Sequence, residues 1–175
     1  MSDSYKVENN AIAGEDDLGS VNHSLTQARL TSLLDDDERF SVLTELSLDI
    51  SQHDLSKFRL DAKEEVKPDV CAYLKPPVIP DDEDDLITVS QMPDLAIEVL
   101  SPRQAHSYLI RKVKAYFELG VKSCWLVIPD LKTVYIYSQS TEYRTFTKDD
   151  SELFDEVMSI RLPIAKVFRL PFNNF

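Results

Sequence analysis

The sequence predicts a single α/β domain in which a central mixed β-sheet is flanked by helices. Its 175 residues, 43% of them hydrophobic, are enough to form one core. Short stretches with β-type alternation are interspersed with two helical patterns. A strand–helix–strand crossover near the middle of the chain precedes a hairpin. This order of elements is typical of a sheet with helices packed on it.

The N-terminal part of this prediction begins after an acidic leader. Residues 1–19 lack periodicity and are expected to be flexible, so the domain should comprise residues 20–175. Ser20 is a suitable N-cap for a helix over residues 21–34. The apolar residues expected on its inner face are Val21, Leu25, Ala28 and Leu33.

Three strands should follow this helix. Residues 40–50 alternate between apolar and polar side chains, which predicts one continuous strand. A second strand is predicted over residues 66–74, with Pro68 interrupting its start. The apolar run at residues 95–100 predicts a central strand that is covered on both faces.

The crossover helix is predicted over residues 102–119. Ser101 would cap it, Pro102 would occupy its first position, and Gly120 would end it. Residues 124–128 predict another buried strand. Residues 133–138 and 143–147 should form a hairpin, and residues 152–168 a mixed C-terminal element.

The charge distribution argues against a general nucleic-acid-coating protein. The formal charge is −12, but residues 1–100 carry a net −15 and residues 101–175 a net +3. A strongly acidic chain is not a general coat for a nucleic-acid backbone. The acidic tracts at residues 15–17, 35–38 and 81–85 are expected to be solvated loops.

Other features indicate a cytoplasmic protein. No apolar run is long enough to span a membrane, and residues 1–19 lack the basic start and apolar block of a secretory signal. Cys71 and Cys124 lie in apolar runs without a zinc-binding pattern. We therefore expect two reduced thiols in the core.

Three charged residues occupy unexpected places. Glu98 lies inside an apolar run, where a carboxylate must be paired, protonated or bound to metal. Asp69 opens a predicted strand directly after Pro68. Lys112 should project from the inward face of its helix, since its helical neighbours are Tyr108, Leu109, Ala115 and Tyr116.

These charges permit two interpretations. Two carboxylates and an adjoining lysine can form a pocket in which oxygen ligands hold a divalent cation and the amine stabilises charge on a phosphate. Alternatively, Glu98 and Lys112 form a buried ion pair that joins strand to helix. The spacing leaves both interpretations open.

Two segments resemble a known family. Residues 68–70 (PDV) and 93–102 (PDLAIEVLSP) are similar to the signature of the Uma family, a bacterial family of nuclease-like proteins. Lys112 and Tyr116, the Gly120-Val121 pair and residues 125–130 (WLVIPD) resemble further family motifs. The matches cover residues 66–130 and imply a fold of the PD-(D/E)xK restriction-endonuclease-like superfamily.

The resemblance also implies roles for individual residues. Asp69 and Glu98 would be catalytic and bind Mg²⁺ or Mn²⁺, and the backbone carbonyl of Val99 would complete the ligand shell. Glu45 resembles a further acidic position, although its strand face also fits plain exposure to solvent. The superfamily usually has lysine two residues after the second acid, where this chain has Leu100. In the Uma-like pattern, Lys112 takes that role.

The implied activity is metal-dependent hydrolysis of phosphodiester bonds in nucleic acid, with DNA as the expected partner. Basic side chains near the site are expected to contact the backbone, namely Arg103, Arg111, Lys114 and Lys122; an ordinary solvated helix face is the other interpretation of this cluster. A homodimer is expected by analogy with enzymes that cut two strands. Two alternatives remain: a catalytically silent nuclease fold that serves in binding or assembly, and an enzyme acting on a smaller phosphate ester.

Overall fold

The computed structural model describes residues 19–60 and 62–168. The predicted leader therefore lies almost entirely outside the described residues, as does the acidic tract at residues 15–17. Within the described ranges, no helix is long and apolar enough to cross a membrane.

A six-stranded mixed sheet forms the centre of the fold, in the order β1-β4-β5-β6-β7-β8. Only β5 and β6 are parallel, because a helical crossover joins them; the other neighbours in the sheet are antiparallel. The strands are β1 Ser41–Thr44, β4 Val70–Tyr73, β5 Leu95–Val99, β6 Ser123–Ile128, β7 Thr133–Gln139 and β8 Glu142–Thr147. The predicted α/β class with a mixed sheet is confirmed.

Within the described residues, three α-helices, a 3₁₀ turn at Ser56–Phe58 and two small sheets accompany the central sheet. The helices are α1 Val21–Asp35, α2 His106–Glu118 and α3 Ile164–Val167. One small sheet pairs β2 Leu48–Asp49 with β3 Glu65–Val66, and the other pairs β9 Glu152–Asp155 with β10 Ile160–Pro163. The mixed character expected for the C-terminal segment is thus confirmed.

The two faces of the central sheet bury separate apolar clusters. Leu95, Ile97 and Val99 of β5 face a cluster that contains the C-terminal half of α1. Ala96 faces the cluster built with α2. Because side chains alternate along a strand, Glu98 is on the α2 side.

The prediction of one strand over residues 40–50 is wrong. The chain breaks after β1 at Glu45, whose φ of 53° lies in the left-handed region and is incompatible with a strand. Pairing resumes at β2, in a different sheet. The alternating pattern continued through this break, so it gave no indication of it.

The predicted inner face of α1 is also wrong. Val21 is 76% exposed and Leu25 is 37% exposed, whereas His23, Thr26, Leu30 and Leu34 are buried. Apolar residues are distributed around this helix, so its periodicity did not define one face. The predicted cap is confirmed, since Ser20 accepts a hydrogen bond from the backbone N–H of His23 at 3.1 Å.

Helix α2 begins later than predicted. Residues 101–105 form a turn in which the Gln104 N–H donates to the Ser101 carbonyl, and Ala105 is the N-cap. Pro102 therefore lies outside the helix. Gly120 follows the helix with a φ of 94°, as expected for a residue that ends it.

The remaining predictions for the second half are confirmed. Strands β7 and β8 form the expected hairpin. Cys71 and Cys124 are buried free thiols, and burial raises the pKa of Cys71 to about 12. These thiols are core residues and poor nucleophiles.

The carboxylate of Asp155 attaches the β9–β10 sheet to the central sheet. It is fully buried and accepts hydrogen bonds from Ser123 Oγ at 2.6 Å, Trp125 Nε1 at 2.7 Å and the Met158 N–H at 3.0 Å. The two contacts to β6 make it a cross-sheet anchor.

We expect Asp155→Ala to lower the free energy of unfolding by about 3 kcal/mol or more, because it leaves buried donors without an acceptor. Urea unfolding followed by the fluorescence of Trp125, the single tryptophan, measures this. The exposed Asp149→Ala is the matched control and should change stability little. Equal stability of the two variants would contradict the anchoring role.

Candidate functional site

Four residues singled out from the sequence line one cavity of about 320 Å³, namely Glu45, Asp69, Glu98 and Lys112. The cavity lies at the end of the sheet where β4 begins and β5 ends. Helix α1 also contributes to its wall, as do Lys67, Ser101 and Gln104. The sheet and both long helices thus meet at this cavity.

Strand pairing brings Asp69 and Glu98 together. Strands β4 and β5 are antiparallel with Val70 opposite Ile97, so one step further along the register puts Asp69 opposite Glu98. Directly opposed residues project from the same face of a sheet. The two carboxylates therefore face the same cavity rather than opposite sides of the sheet.

Glu98 is held by two side chains of α2. Its Oε1 lies 2.8 Å from Lys112 Nζ and accepts a hydrogen bond from the Tyr116 hydroxyl at 2.6 Å. Lys112 and Tyr116 are one helical turn apart and so share a face of α2. Lys112 Nζ also donates to the Lys67 carbonyl at 3.1 Å. The predicted inward orientation of Lys112 is confirmed.

Burial raises the pKa of Glu98 to about 7. The side chain is 3% exposed, so its charged form has lost most of its hydration. The positive charge of Lys112 opposes this rise, whereas the negative charge of Asp69 adds to it. The carboxyl group therefore changes its protonation near neutral pH.

Both carboxylate oxygens of Asp69 have hydrogen-bond donors or cations beside them. Oδ2 accepts a hydrogen bond from the Val99 N–H at 2.6 Å, and Oδ1 lies 3.3 Å from His23 Nε2. The hydrogen bond to Asp69 raises the pKa of His23, and burial partly opposes that rise. Asp69 is thus fixed between β5 and α1.

Glu45 reaches the cavity from a loop rather than from a strand. Its backbone N–H donates to the Asp69 carbonyl at 3.3 Å, and its Oε1 accepts from Gln27 Nε2 at 3.3 Å. Its left-handed backbone turns the chain at this point. Glu45 therefore lies beside Asp69 at the cavity, although the predicted strand around it is wrong.

The four predicted backbone-contacting residues are not grouped together. Arg103 is exposed in the turn between Ser101 and Gln104, both of which line the cavity. Arg111 lies with its guanidinium 5.5 Å from the ring of Tyr108. Lys114 lines a separate surface groove.

Lys122 lies at the opposite end of β5 from Glu98. Its Nζ is 2.7 Å from Asp94, which directly precedes β5, whereas Glu98 is near the end of that strand. Four residues of extended chain separate these positions by roughly 13 Å. Asp94 also accepts a hydrogen bond from the Leu74 N–H at 2.7 Å, so it joins the end of β4 to the start of β5.

The acidic side chains at the cavity offer oxygen donors, and His23 adds an imidazole nitrogen. Within residues 19–60 and 62–168, no three side chains from His, Cys, Asp and Glu converge closely enough to hold an ion by themselves. The Val99 carbonyl offers a further oxygen. The carbonyl lies on the β4 side of its strand, as the Val99 N–H does. If the β4–β5 register is continued, the residue opposite Val99 is Pro68. Pro68 has no N–H, so it cannot donate a hydrogen bond to this carbonyl.

Sequence reasoning missed His23, Gln27 and Lys67. It placed Tyr116 on the same helical face as Lys112 but assigned it no contact with Glu98. His23 could not, since it is 46 positions from Asp69 and its neighbours are polar. Its approach to Asp69 results from the packing of α1.

Comparison with known proteins places this architecture in context. One solved structure is a putative nuclease belonging to DUF820 from Anabaena variabilis, with 19% identity and a TM-score of 0.70. The alignment covers 87% of this chain and 83% of the other, and the likeness is one of fold. Among curated proteins, none matches. The sequence profile of Uma2, described as "Putative restriction endonuclease", matches residues 16–165, and the chain therefore belongs to the Uma2 family.

Proposed function

We propose that this chain is a Mg²⁺- or Mn²⁺-dependent endonuclease that hydrolyses phosphodiester bonds, with DNA as its substrate in the cytoplasm. The observation that carries the proposal is the convergence of Asp69, Glu98 and Lys112 on one cavity. Membership of a family described as a restriction endonuclease supports the same reaction class.

The donor atoms fit a hard divalent cation. Asp69, Glu98 and the Val99 carbonyl would hold it, with Glu45 as a further carboxylate, and all four offer oxygen. A bound ion would supply Lewis acidity at the scissile phosphate and a water of lowered pKa. The phosphate and water molecules would complete a shell that the side chains leave open.

Lys112 provides the positive charge of the site. Its amine is 3% exposed and is held by Glu98 and the Lys67 carbonyl, so it has a fixed position at the cavity wall. An ammonium in a poorly hydrated site stabilises negative charge that develops on a phosphate. We assign it the role that a strand lysine has in the wider superfamily, where this chain has Leu100.

Substrate would approach the cavity past Arg103. This side chain is exposed on the turn that carries Ser101 and Gln104, both of which line the cavity, so it is accessible to a phosphate that approaches there. Arg111 and Lys114 would contact more distant parts of the backbone. Cutting both strands of a duplex would require two such sites, as in a homodimer.

The first test is metal binding. We expect Asp69→Asn and Glu98→Gln each to lower Mn²⁺ affinity by more than about tenfold, because each removes a charged ligand. Isothermal titration calorimetry measures this, with the exposed Glu118→Gln as the control. Lys112→Met should abolish Mn²⁺-dependent plasmid nicking, whereas Lys75→Met should not.

Two results would contradict the proposal. Equal Mn²⁺ affinity in the wild type and both carboxylate variants would remove the metal site. Nicking that survives Lys112→Met would belong to another site. Metal and DNA binding by the wild type without nicking would instead identify a binding or assembly module, an alternative that the −12 charge favours.

The pH dependence of metal binding is the second test. Because the pKa of Glu98 is raised to about 7, a cation must displace a proton below that pH. The apparent Mn²⁺ affinity should therefore rise with pH up to about 7, by as much as about tenfold per unit. Glu98→Gln should lose this part of the dependence. A wild-type affinity that is constant through this range would contradict it.

Salt dependence of DNA binding provides the third test. Arg103→Glu should weaken binding and reduce the slope of log affinity against log salt by about 0.9 for each lost phosphate contact. Lys122→Glu is the matched reversal, and it should leave the slope unchanged because Lys122 pairs with Asp94. Fluorescence anisotropy of a labelled duplex in EDTA measures both. An unchanged slope for Arg103→Glu would exclude that contact.

A further inference from the structure

We propose that His23 and Gln27 of α1 are positioning residues that clamp Asp69, one at its side chain and the other at its backbone. This inference rests on the proposed function, since it assigns the two residues to the metal site. It extends that site from the strands and α2 to the first helix.

The position of His23 is set by the start of α1. Its backbone N–H donates to Ser20 Oγ at 3.1 Å, and the Ser24 N–H donates to the Ser20 carbonyl at 2.9 Å. The capped turn directs the imidazole into the cavity, where Nε2 lies 3.3 Å from Asp69 Oδ1. A carboxylate oxygen accepts hydrogen bonds, so in the proposed clamp Nε2 is the donor.

Gln27 acts on the same residue from one turn further along. Residues four apart share a helical face, so Gln27 also points toward the start of β4. Its Nε2 donates to the Asp69 carbonyl at 3.0 Å and to Glu45 Oε1 at 3.3 Å. The Glu45 N–H donates to the same carbonyl at 3.3 Å. Gln27 therefore joins both acidic residues.

The clamp fixes the direction in which Asp69 offers its free lone pairs. His23 holds Oδ1 while the Val99 N–H holds Oδ2 at 2.6 Å. Each carboxylate oxygen keeps a further lone pair for a cation. Mutation of a residue that orients a ligating carboxylate commonly lowers metal affinity by about 10- to 100-fold.

Anchoring of α1 does not require these polar contacts. Leu30 and Leu34, in the C-terminal half of the helix, are at most 1% exposed and belong to the core on one face of the sheet. His23 and Gln27, in contrast, line the cavity. The helix thus has one half that packs and one half that contacts the acids.

The test compares His23→Ala with His23→Gln. We expect His23→Ala to lower Mn²⁺ affinity by about tenfold or more, and His23→Gln to restore most of it, because the glutamine amide can donate from nearly the same place. Gln27→Ala should have a smaller effect in the same direction. His53→Ala, at an exposed loop histidine, is the matched control, and thermal unfolding of each variant checks folding.

An NMR measurement separates this inference from the proposed function. The Nε2–H signal of His23 in ¹⁵N NMR without metal should shift in Asp69→Asn. If Asp69→Asn binds Mn²⁺ like the wild type, the proposed metal site fails, and the clamp is then judged by that signal alone. An unshifted signal overturns the clamp.

Two further results also overturn it. The first is that His23→Ala binds Mn²⁺ as tightly as the wild type while Asp69→Asn has lost Mn²⁺ affinity. The other is a nitrogen hyperfine coupling in the electron paramagnetic resonance spectrum of bound Mn²⁺ that disappears in His23→Gln, because His23 would then be a direct ligand rather than a positioning residue.

Discussion

The ion pair between Glu98 and Lys112 is the constraint on which the rest of the site depends. Two charges with side chains only 3% exposed are costly unless each finds further partners. Tyr116 supplies a hydroxyl to the acid, and the Lys67 carbonyl accepts from the amine. These contacts connect β5, α2 and the segment before β4. The hydrogen bonds that offset the cost of burying this ion pair therefore also define one wall of the cavity.

Each layer of the fold contributes separately to this cavity. The sheet supplies the two opposed acids, α2 supplies the amine and the tyrosine, and the capped start of α1 supplies a histidine and a glutamine. The overall charge of −12 is compatible with this arrangement, because its excess lies elsewhere, for example in the exposed tract at residues 81–85. Among the described residues, three acids line the cavity, and hydrogen-bond donors or basic side chains lie beside them.

The sequence was most informative where a charged residue interrupted a clear apolar pattern. Glu98 inside an apolar strand and Lys112 on an apolar helical face marked both residues as buried charges, with an ion pair as one of two interpretations. The pattern failed where local backbone geometry or tertiary packing decided the outcome. The left-handed Glu45 interrupts a stretch that alternates perfectly, and Ser101-Pro102 forms a turn where a helix start was expected. His23 meets Asp69 only because α1 packs through Leu30 and Leu34, and its spacing carries no sign of that contact.

The location of Lys112 on a helix has a consequence for how such a site can change. A lysine two residues after the acid would share its strand, so any shift in register would move both groups together. Here the amine and the acids belong to different layers, and the contact between α2 and the sheet sets their separation. Substitutions on the buried face of α2, such as at Leu109 or Val113, could retune the amine while the carboxylates stay in register. The packing of α2 can thus change the position of the amine relative to the acids, within the limit that the ion pair with Glu98 sets.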